Sequence, residues 1–389
     1  MCPYDAPKYN KALGIVRKCD MCSSRLEHNE APACAQACPN QAIAIRVVER
    51  ETVVESAGSG GFLPGAPTAD HTLPTTVYKT KRPLQRNLLP ADYYRTSLQH
   101  SHPALVIMLT FTQLAVGAFC LTYVAEHWLG HAPGSPLVQS LAATSLAFLA
   151  LGASIFHLGR PIYAWRVFLG LRTSWLSREA VGFGLFALLA TLYGALEFVQ
   201  LIGPPDTFAN AAETVRLLAM GAGVISVLCS VMVYVATRRA HWSATQTGVR
   251  FFGTTLILGS SLVLALYLFA GGGIDRIGAP FLELILFSTV AKAALEASAF
   301  AHYGTQGFSA MKRVAVLMLG ELAPVTAARF GLAVCGGILI PLMLLQGVLA
   351  EHLRETGLLL LCVLVASELL ERYLFFRAAP GSRMPGGLR

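Results

Sequence analysis

The sequence predicts an all-α protein, a polytopic membrane helix bundle of about eight transmembrane helices, with a small cysteine-rich module ahead of it. Three observations carry this. Charged residues make up 13% of the 389 and hydrophobic ones 54%, with mean hydropathy +0.55, whereas a soluble domain carries about a quarter charged residues. From Pro103 onward, apolar runs recur at about the 20 residues that cross the hydrocarbon core as a helix. Five of the nine cysteines fall within the first 38 residues.

The elements follow in chain order. Residues 1–50 are polar and hold the cysteine run. Residues 51–100 carry glycines at 58 and 60–61 and prolines at 64, 67, 74, 83 and 90 with little apolar periodicity, so they read as a linker or wrapping arm. Residues 101–380 form the membrane part, with spans expected at 103–125, 136–157, 180–202, 215–236, 251–270, 281–302, 329–350 and 357–376. The span at 281–302 is interrupted by Glu283, Lys292 and Glu296. Cys120, Cys229, Cys335 and Cys362 stand singly in apolar segments and read as small packing residues. Met1 is followed by Cys-Pro-Tyr, with no basic or apolar leader region.

Basic residues sort by side. With eight spans, the loops and helix ends on the N-terminal side carry fourteen arginines and lysines after the first span, among them Arg160, Arg166, Arg172, Arg178, Arg238, Arg239 and Arg250. The other side carries Arg216, Arg276 and Arg354. That bias predicts a cytoplasmic N-terminus. The net charge of +8 is therefore a topology signal. No basic run interleaved with aromatics suggests nucleic acid.

Cys19, Cys22, Cys34 and Cys38 form a C-x2-C-x11-C-x3-C-P pattern. Four thiolates in this order suit a tetrahedral zinc or an iron–sulfur cluster, in which the last cysteine is followed by proline and serves a neighbouring cluster. Pro39 after Cys38 and Pro3 after Cys2 favour the second. A disulfide is disfavoured on a reducing side of the membrane.

The stretch CPYDAPKYNKALGIVRKCDMCSSRLEHNEAPACAQACPNQAI resembles the last part of the four-cluster ferredoxin-type subunit of the dimethyl sulfoxide reductase family of molybdoenzymes. The resemblance implies a partial ferredoxin-like 4Fe-4S module over residues 1–50. Cys19, Cys22 and Cys34 would hold three corners of one cluster, and Cys38 and Cys2 would each serve another. The family's subunit has four such runs, and this chain has one run and the end of another. A fragment, or an upstream iron–sulfur portion, is therefore expected.

The rest of the chain resembles the membrane anchor of the same family, which exchanges electrons with quinone. The likeness is carried by SIFHLGRPIYAWRVFLGLRTSWLSREAVGFGLF at 154–186, VYVATRRAHWSATQTGVRFFGTTLILG at 233–259 and ASELLERYLFF at 366–376. The resemblance implies a subunit of the bacterial inner (cytoplasmic) membrane, surrounded by lipid. It would pass electrons between clusters and the quinone/quinol pool, beside a separate molybdopterin catalytic subunit. His157 and Glu179 fall in its His-Leu-Gly-x-Pro and Ser-x-Glu motifs. Independently of the family, His157, Glu179, Tyr234, Arg238, Glu368 and Arg372 all fall at N-terminal-side ends of expected spans, and Arg178 stands in the basic loop just before Glu179. Ionisable groups at lipid depth are costly and usually functional. These seven are the candidate quinone contacts, and a histidine and a carboxylate among them suit the two protons that accompany two electrons. For Glu368 and Arg372, a helix-face ion pair four residues apart is the structural alternative.

Lys292 and Glu296, also four apart, are expected to pair with each other. Haem is disfavoured, because no histidine stands central in a span. With the catalytic module expected on the cytoplasmic side, a sulfite dehydrogenase that reduces quinone is favoured over a dimethyl sulfoxide or polysulfide-type reductase that oxidises quinol. A transporter or purely structural anchor is the alternative of another class.

Overall fold

The computed structural model describes residues 8–10, 12, 15–17, 19–58, 69, 73–79, 81–83, 94, 96–128, 130, 135–156, 158, 161–203 and 208–380. The chain divides into two compact units, Met1–Arg95 with Gly381–Arg389, and Thr96–Pro380.

In the first unit, β1 (Lys8–Asn10) pairs antiparallel with β2 (Ile15–Arg17), Tyr9 opposite Val16. Two short helices follow, α1 (Ser23–Glu27) and α2 (Ala33–Gln36), then α3 (Arg50–Gly58). Neither α1 nor α2 buries a residue. Turns rather than an apolar core shape this segment, and Met21, Cys22, Asn29 and Gln41 all take left-handed backbone angles.

The second unit is a helix bundle. Its long helices are α4 (Pro103–Trp128), α5 (Pro136–Ile155), α6 (Trp175–Ile202), α7 (Ala209–Val235), α8 (Ala244–Phe269) and α9 (Gly278–Ala297). After the short α10 (Ala310–Leu319) come α11 (Ala323–Val334), a π-helical turn at Cys335–Leu339, α12 (Ile340–Leu345) and α13 (Leu353–Arg377). Serine hydroxyls cap the polar-side starts: Ser174 accepts from the Ser177 amide, Ser243 from Gln246 and Ser309 from Lys312.

Among the described residues, seven segments are long and apolar enough to cross a membrane: α4 to α8, Gly278–His302, and Ala323–Leu345. The eighth expected segment is also a helix, α13. Its 25 residues extend about 37 Å, but Glu368, Glu371 and Arg372 set it apart from the seven.

Helices α4 and α8 are the inner pair, with 72% of each apolar stretch buried, against 28% for α5 and α6. The outer helices turn Leu141, Phe148, Leu185, Leu188 and Leu192 outward, as a lipid-facing surface requires. Glycine permits the inner contact: a Cβ on Gly117 of α4 would lie 2.0 Å from the Thr255 carbonyl oxygen of α8. Helix α6 packs on α7, α8 on α9 and α13, and α11 on α13.

Candidate functional site

In the cysteine module, Cys22 caps α1 with left-handed angles (φ 55°), and its amide donates to Asp20 Oδ1 at 2.9 Å. Arg25 ties the loop together: its Nε donates to the Ala31 carbonyl at 3.0 Å, and its guanidinium meets Glu30 at 3.1 Å and Gln36. Cys34 lies on α2, and Cys38 follows it, half-buried. The Ala42 amide donates to Cys38 Sγ at 3.3 Å, which holds that thiol below its ordinary range. The donor chemistry, four free thiols with an amide aimed at one sulfur, suits an iron–sulfur group. Among the described residues, however, no three Cys, His, Asp or Glu side chains gather as a metal-holding group. Cys2 lies outside the described residues.

In the bundle, Glu179 comes from the first turns of α6 and is 3% exposed. Its Oε1 accepts from Ser230 Oγ of α7 at 2.6 Å, and among the described residues no cation is within ion-pair distance of it. Arg178 turns the other way: its Nε and Nη2 donate to the carbonyls of Leu171 and Arg172 at 2.9 and 2.8 Å, and it stacks on Trp175 at 4.2 Å. It thus closes the turn that follows the 3-10 segment Pro161–Gly170. Arg238 is exposed, with left-handed angles just after α7. His157 lies outside the described residues.

Tyr234, near the end of α7, stands in an aromatic box. Its ring meets Phe375 at 5.0 Å, Trp242 at 5.2 Å, Phe251 at 5.6 Å and Phe376 at 5.8 Å, all edge-on. Trp242 stacks on Phe375 and donates from Nε1 to the Phe375 carbonyl at 3.3 Å. The box thereby fixes the 240–242 turn against the end of α13.

Beside the box lies a buried ion network. Glu368 accepts from Thr254 Oγ1 at 2.6 Å, from Lys292 Nζ, and pairs with Arg329 at 3.2 Å. Arg329 also meets Glu296 at 3.0 Å and donates to Ser367 Oγ at 2.6 Å. Glu371 sits among Lys292 at 3.5 Å, Arg372 at 3.6 Å and Arg250 at 3.8 Å. Arg372 donates to Gln113 Oε1 at 2.9 Å and lies 4.0 Å over the Phe251 ring. Arg250 approaches His241 Nε2 at 3.3 Å. Burial, then the Arg250 charge, push the His241 ring well below its ordinary pKa, so it is neutral.

The expected pairings are thus replaced. Lys292 joins Glu368 and Glu371 on α13, Glu296 joins Arg329 on α11, Glu368 pairs with Lys292 and Arg329, and Arg372 pairs with its neighbour Glu371 and donates to Gln113 of α4, so Glu368 and Arg372 do not pair with each other. Cross-helix geometry overrides the four-residue spacing because these side chains point inward. Glu283, by contrast, is exposed. Gln113, His241, Arg250, Thr254, Arg329 and Glu371 went unnoticed as site residues. Their signal was available for the charged ones, which are ionisable groups within or beside apolar runs. Gln113 and Thr254 carry no such mark. Chemically, the described residues offer a buried carboxyl at Glu179 without a cation in ion-pair distance, an aromatic box and a cationic cluster, all toward one end of the bundle.

Comparison with known proteins accords with this layout. Residues 1–48 match the 4Fe-4S dicluster domain. Over 168 residues the sequence is 33% identical to a sulfite dehydrogenase subunit of Allochromatium vinosum, covering 39% of this protein and 52% of that one. It is 33% identical over 81 residues to an anaerobic dimethyl sulfoxide reductase component of Haemophilus influenzae, covering 21% and 38%. It is 35% identical over 78 residues to YnfG, a probable anaerobic dimethyl sulfoxide reductase component of Escherichia coli K12, covering 20% and 37%. The chain spans about half the length of the first relative and less than two fifths of the other two. The profile of the DMSO reductase anchor subunit family matches residues 99–377, most of the sequence, and to that family, DmsC, this protein belongs.

Proposed function

We propose that this chain anchors a quinone-linked molybdopterin oxidoreductase in the bacterial cytoplasmic membrane and passes electrons between 4Fe-4S clusters and the quinone pool. Residues 1–50 are the cluster module, 51–100 an arm, and 101–380 the quinone-reactive anchor. Cys19, Cys22 and Cys34, with Cys38 and Cys2 serving neighbouring clusters, are the proposed iron ligands, completed by a further iron–sulfur portion. A bound cluster supplies single-electron transfer. The chain's own side chains would bind quinone and manage its protons.

The observation that carries the quinone reading is Glu179. It is a buried carboxyl that accepts from the Ser230 hydroxyl, and among the described residues no cation lies within ion-pair distance of it. A carboxyl so placed is suited to exchange a proton with a quinone oxygen. Tyr234, four residues after the Ser230 that donates to Glu179, stands in the aromatic box, Arg372 lies over the Phe375 ring of that box, and His157 and Arg238 belong to the same end of the bundle by sequence. Arg178, engaged with its own loop, would act by shaping the entrance. Glu368 would act through the ion network.

The favoured activity is sulfite oxidation coupled to quinone reduction, supported by the basic residues on the N-terminal side and by the similarity to a sulfite dehydrogenase subunit. Similarity to dimethyl sulfoxide reductase components supports the second reading, a reductase that oxidises quinol.

The test is turnover of the isolated complex with quinone. Glu179→Gln keeps the shape and the Ser230 contact but has no labile proton. It should lower quinone-coupled turnover about a hundredfold, the scale of a lost general acid. His157→Gln should lower it about tenfold to a hundredfold, the loss of a charge-assisted hydrogen bond. Normal turnover by both variants, in complexes that retain their iron, would remove the quinone site from this end of the bundle.

A further inference from the structure

The 3-10 segment Pro161–Gly170, between α5 and α6, buries none of its residues. Ile162, Tyr163, Trp165, Phe168 and Leu169 are between 47% and 86% exposed. A 3-10 helix repeats every three residues, so side chains three apart eclipse. Ile162, Trp165 and Phe168 therefore form one straight apolar stripe. Ala164, Val167 and Gly170 form a second row, of small side chains, and Val167 and Gly170 are the half-buried members of the segment. That row meets α6: a Cβ on Gly170 would lie 2.4 Å from Ser177 Oγ. In the third row, the Arg166 guanidinium lies over the Tyr163 ring at 5.2 Å.

The segment is a fixed extension of α6 rather than a slack loop. The Gly170 carbonyl accepts from the Thr173 and Ser174 amides at 3.1 and 2.8 Å, and Ser174 caps α6. Arg178 ties down the carbonyls of Leu171 and Arg172. An apolar stripe held in this way is unfavourable against water.

Place and charge indicate its cover. The segment packs on α6, and α5 and α6, which it joins, are outer helices with 28% of each apolar stretch buried. Leu185, Leu188 and Leu192 of α6 face outward, so the stripe adjoins a lipid-facing surface. From Pro161 to Arg178 the sequence holds Arg166, Arg172 and Arg178 and no acidic residue. Arg178 is engaged with its loop, whereas Arg166 and Arg172 are exposed. The basic bias predicts this to be the cytoplasmic side, whose leaflet carries anionic lipid. Tryptophan and tyrosine beside arginine suit the boundary between acyl chains and headgroups.

We propose that Pro161–Gly170 lies along the membrane–water boundary. Its Ile162, Trp165 and Phe168 stripe enters the acyl chains, and Arg166 and Arg172 hold the phosphates of anionic phospholipid. The inference needs the bundle in a membrane and does not depend on the quinone reading.

The test uses the whole complex, reconstituted in vesicles of phosphatidylcholine with a minority of phosphatidylglycerol and carrying a photo-crosslinking phenylalanine analogue at Phe168. After illumination, mass spectrometry should find phospholipid joined to that position. A peptide of another subunit there would make the stripe a protein-docking face and overturn the proposal. Capture of neither would leave the segment in water, which overturns it as well. Two arginines near an anionic surface predict phosphatidylglycerol enriched in the adduct on the order of tenfold over its share of the vesicle. Arg166→Gln with Arg172→Gln should abolish that enrichment, and both side chains are exposed, so the double variant should fold. Labelling of the two lipids in proportion to their share, in the unaltered arginine background, overturns the headgroup assignment. Should the analogue prevent assembly, the lipid kept by the purified complex decides. The unaltered protein should retain phosphatidylglycerol that the double variant loses, and equal retention overturns the proposal.

Discussion

Each charged side chain near this end of the bundle has a role set by its partners rather than by its type. Arg178 and Arg372 are both arginines at helix ends, yet one ties down a loop through two carbonyls and the other lies over Phe251 inside the bundle. Glu179 and Glu371 are both buried carboxylates, yet one has a lone hydroxyl and the other three cations. His241 yields a prediction of its own. Its ring is 1% exposed and beside Arg250, with Glu371 the nearest opposing charge, so the fold admits only the neutral form. In the unfolded chain the same ring protonates below about pH 6.5. The unfolded state then binds the extra proton, and stability is lost as pH falls through that value. Thermal unfolding of the detergent-purified protein should therefore drop between about pH 7.5 and 5.5, and His241→Asn should flatten that drop. An equal slope in both proteins would assign the pH dependence to other groups.

At the scale of elements, the inner helices meet where glycine leaves no side chain. A Cβ on Gly259 of α8 would lie 2.4 Å from the Gly117 carbonyl carbon and 2.7 Å from its Cα. These are backbone atoms that cannot swing aside, so Gly259→Ala must part α4 from α8. It should cost about 1–3 kcal/mol, as overpacking does, and lower the unfolding temperature. Gly184→Ala on α6, with nothing within 4 Å, is the control and should be neutral or slightly stabilising. The helices themselves were legible in the sequence, because lipid demands unbroken apolar runs and the runs are long. The crossing partners were not. Spacing within one helix suggested a pair between Lys292 and Glu296, whereas the actual partners of Lys292 lie 76 and 79 residues away in sequence, at Glu368 and Glu371. Thr254 and Gln113 were invisible for a related reason: an inward-facing hydroxyl or amide in an apolar run reads like any other small interruption.

For the whole molecule, the open physical matter is whether α13 crosses the membrane. Its charges argue against insertion as an isolated helix, since each such residue at the centre costs about 2.5–3.5 kcal/mol on insertion scales. In the bundle, however, Glu368, Glu371 and Arg372 are at most 1% exposed and each has an opposite charge on α8, α9, α11 or α13 itself. None of the three faces lipid. The helix also packs along α8 and α11, both of which belong to apolar spanning segments. Its length of about 37 Å exceeds the roughly 30 Å hydrocarbon core. It should therefore span, which makes eight crossings among the described residues and returns Arg377 to the side on which α4 begins. The bias of arginine and lysine toward that side predicts that it is the cytoplasmic one. Reporter fusions at residue 50, within 160–178 and after Arg377 should all report the cytoplasm, and fusions near 131 and 275 the outside. If only the fusion after Arg377 changes side, α13 does not cross. If all five invert, the module faces outward, and the reading shifts from a sulfite dehydrogenase that reduces quinone to a reductase that oxidises quinol.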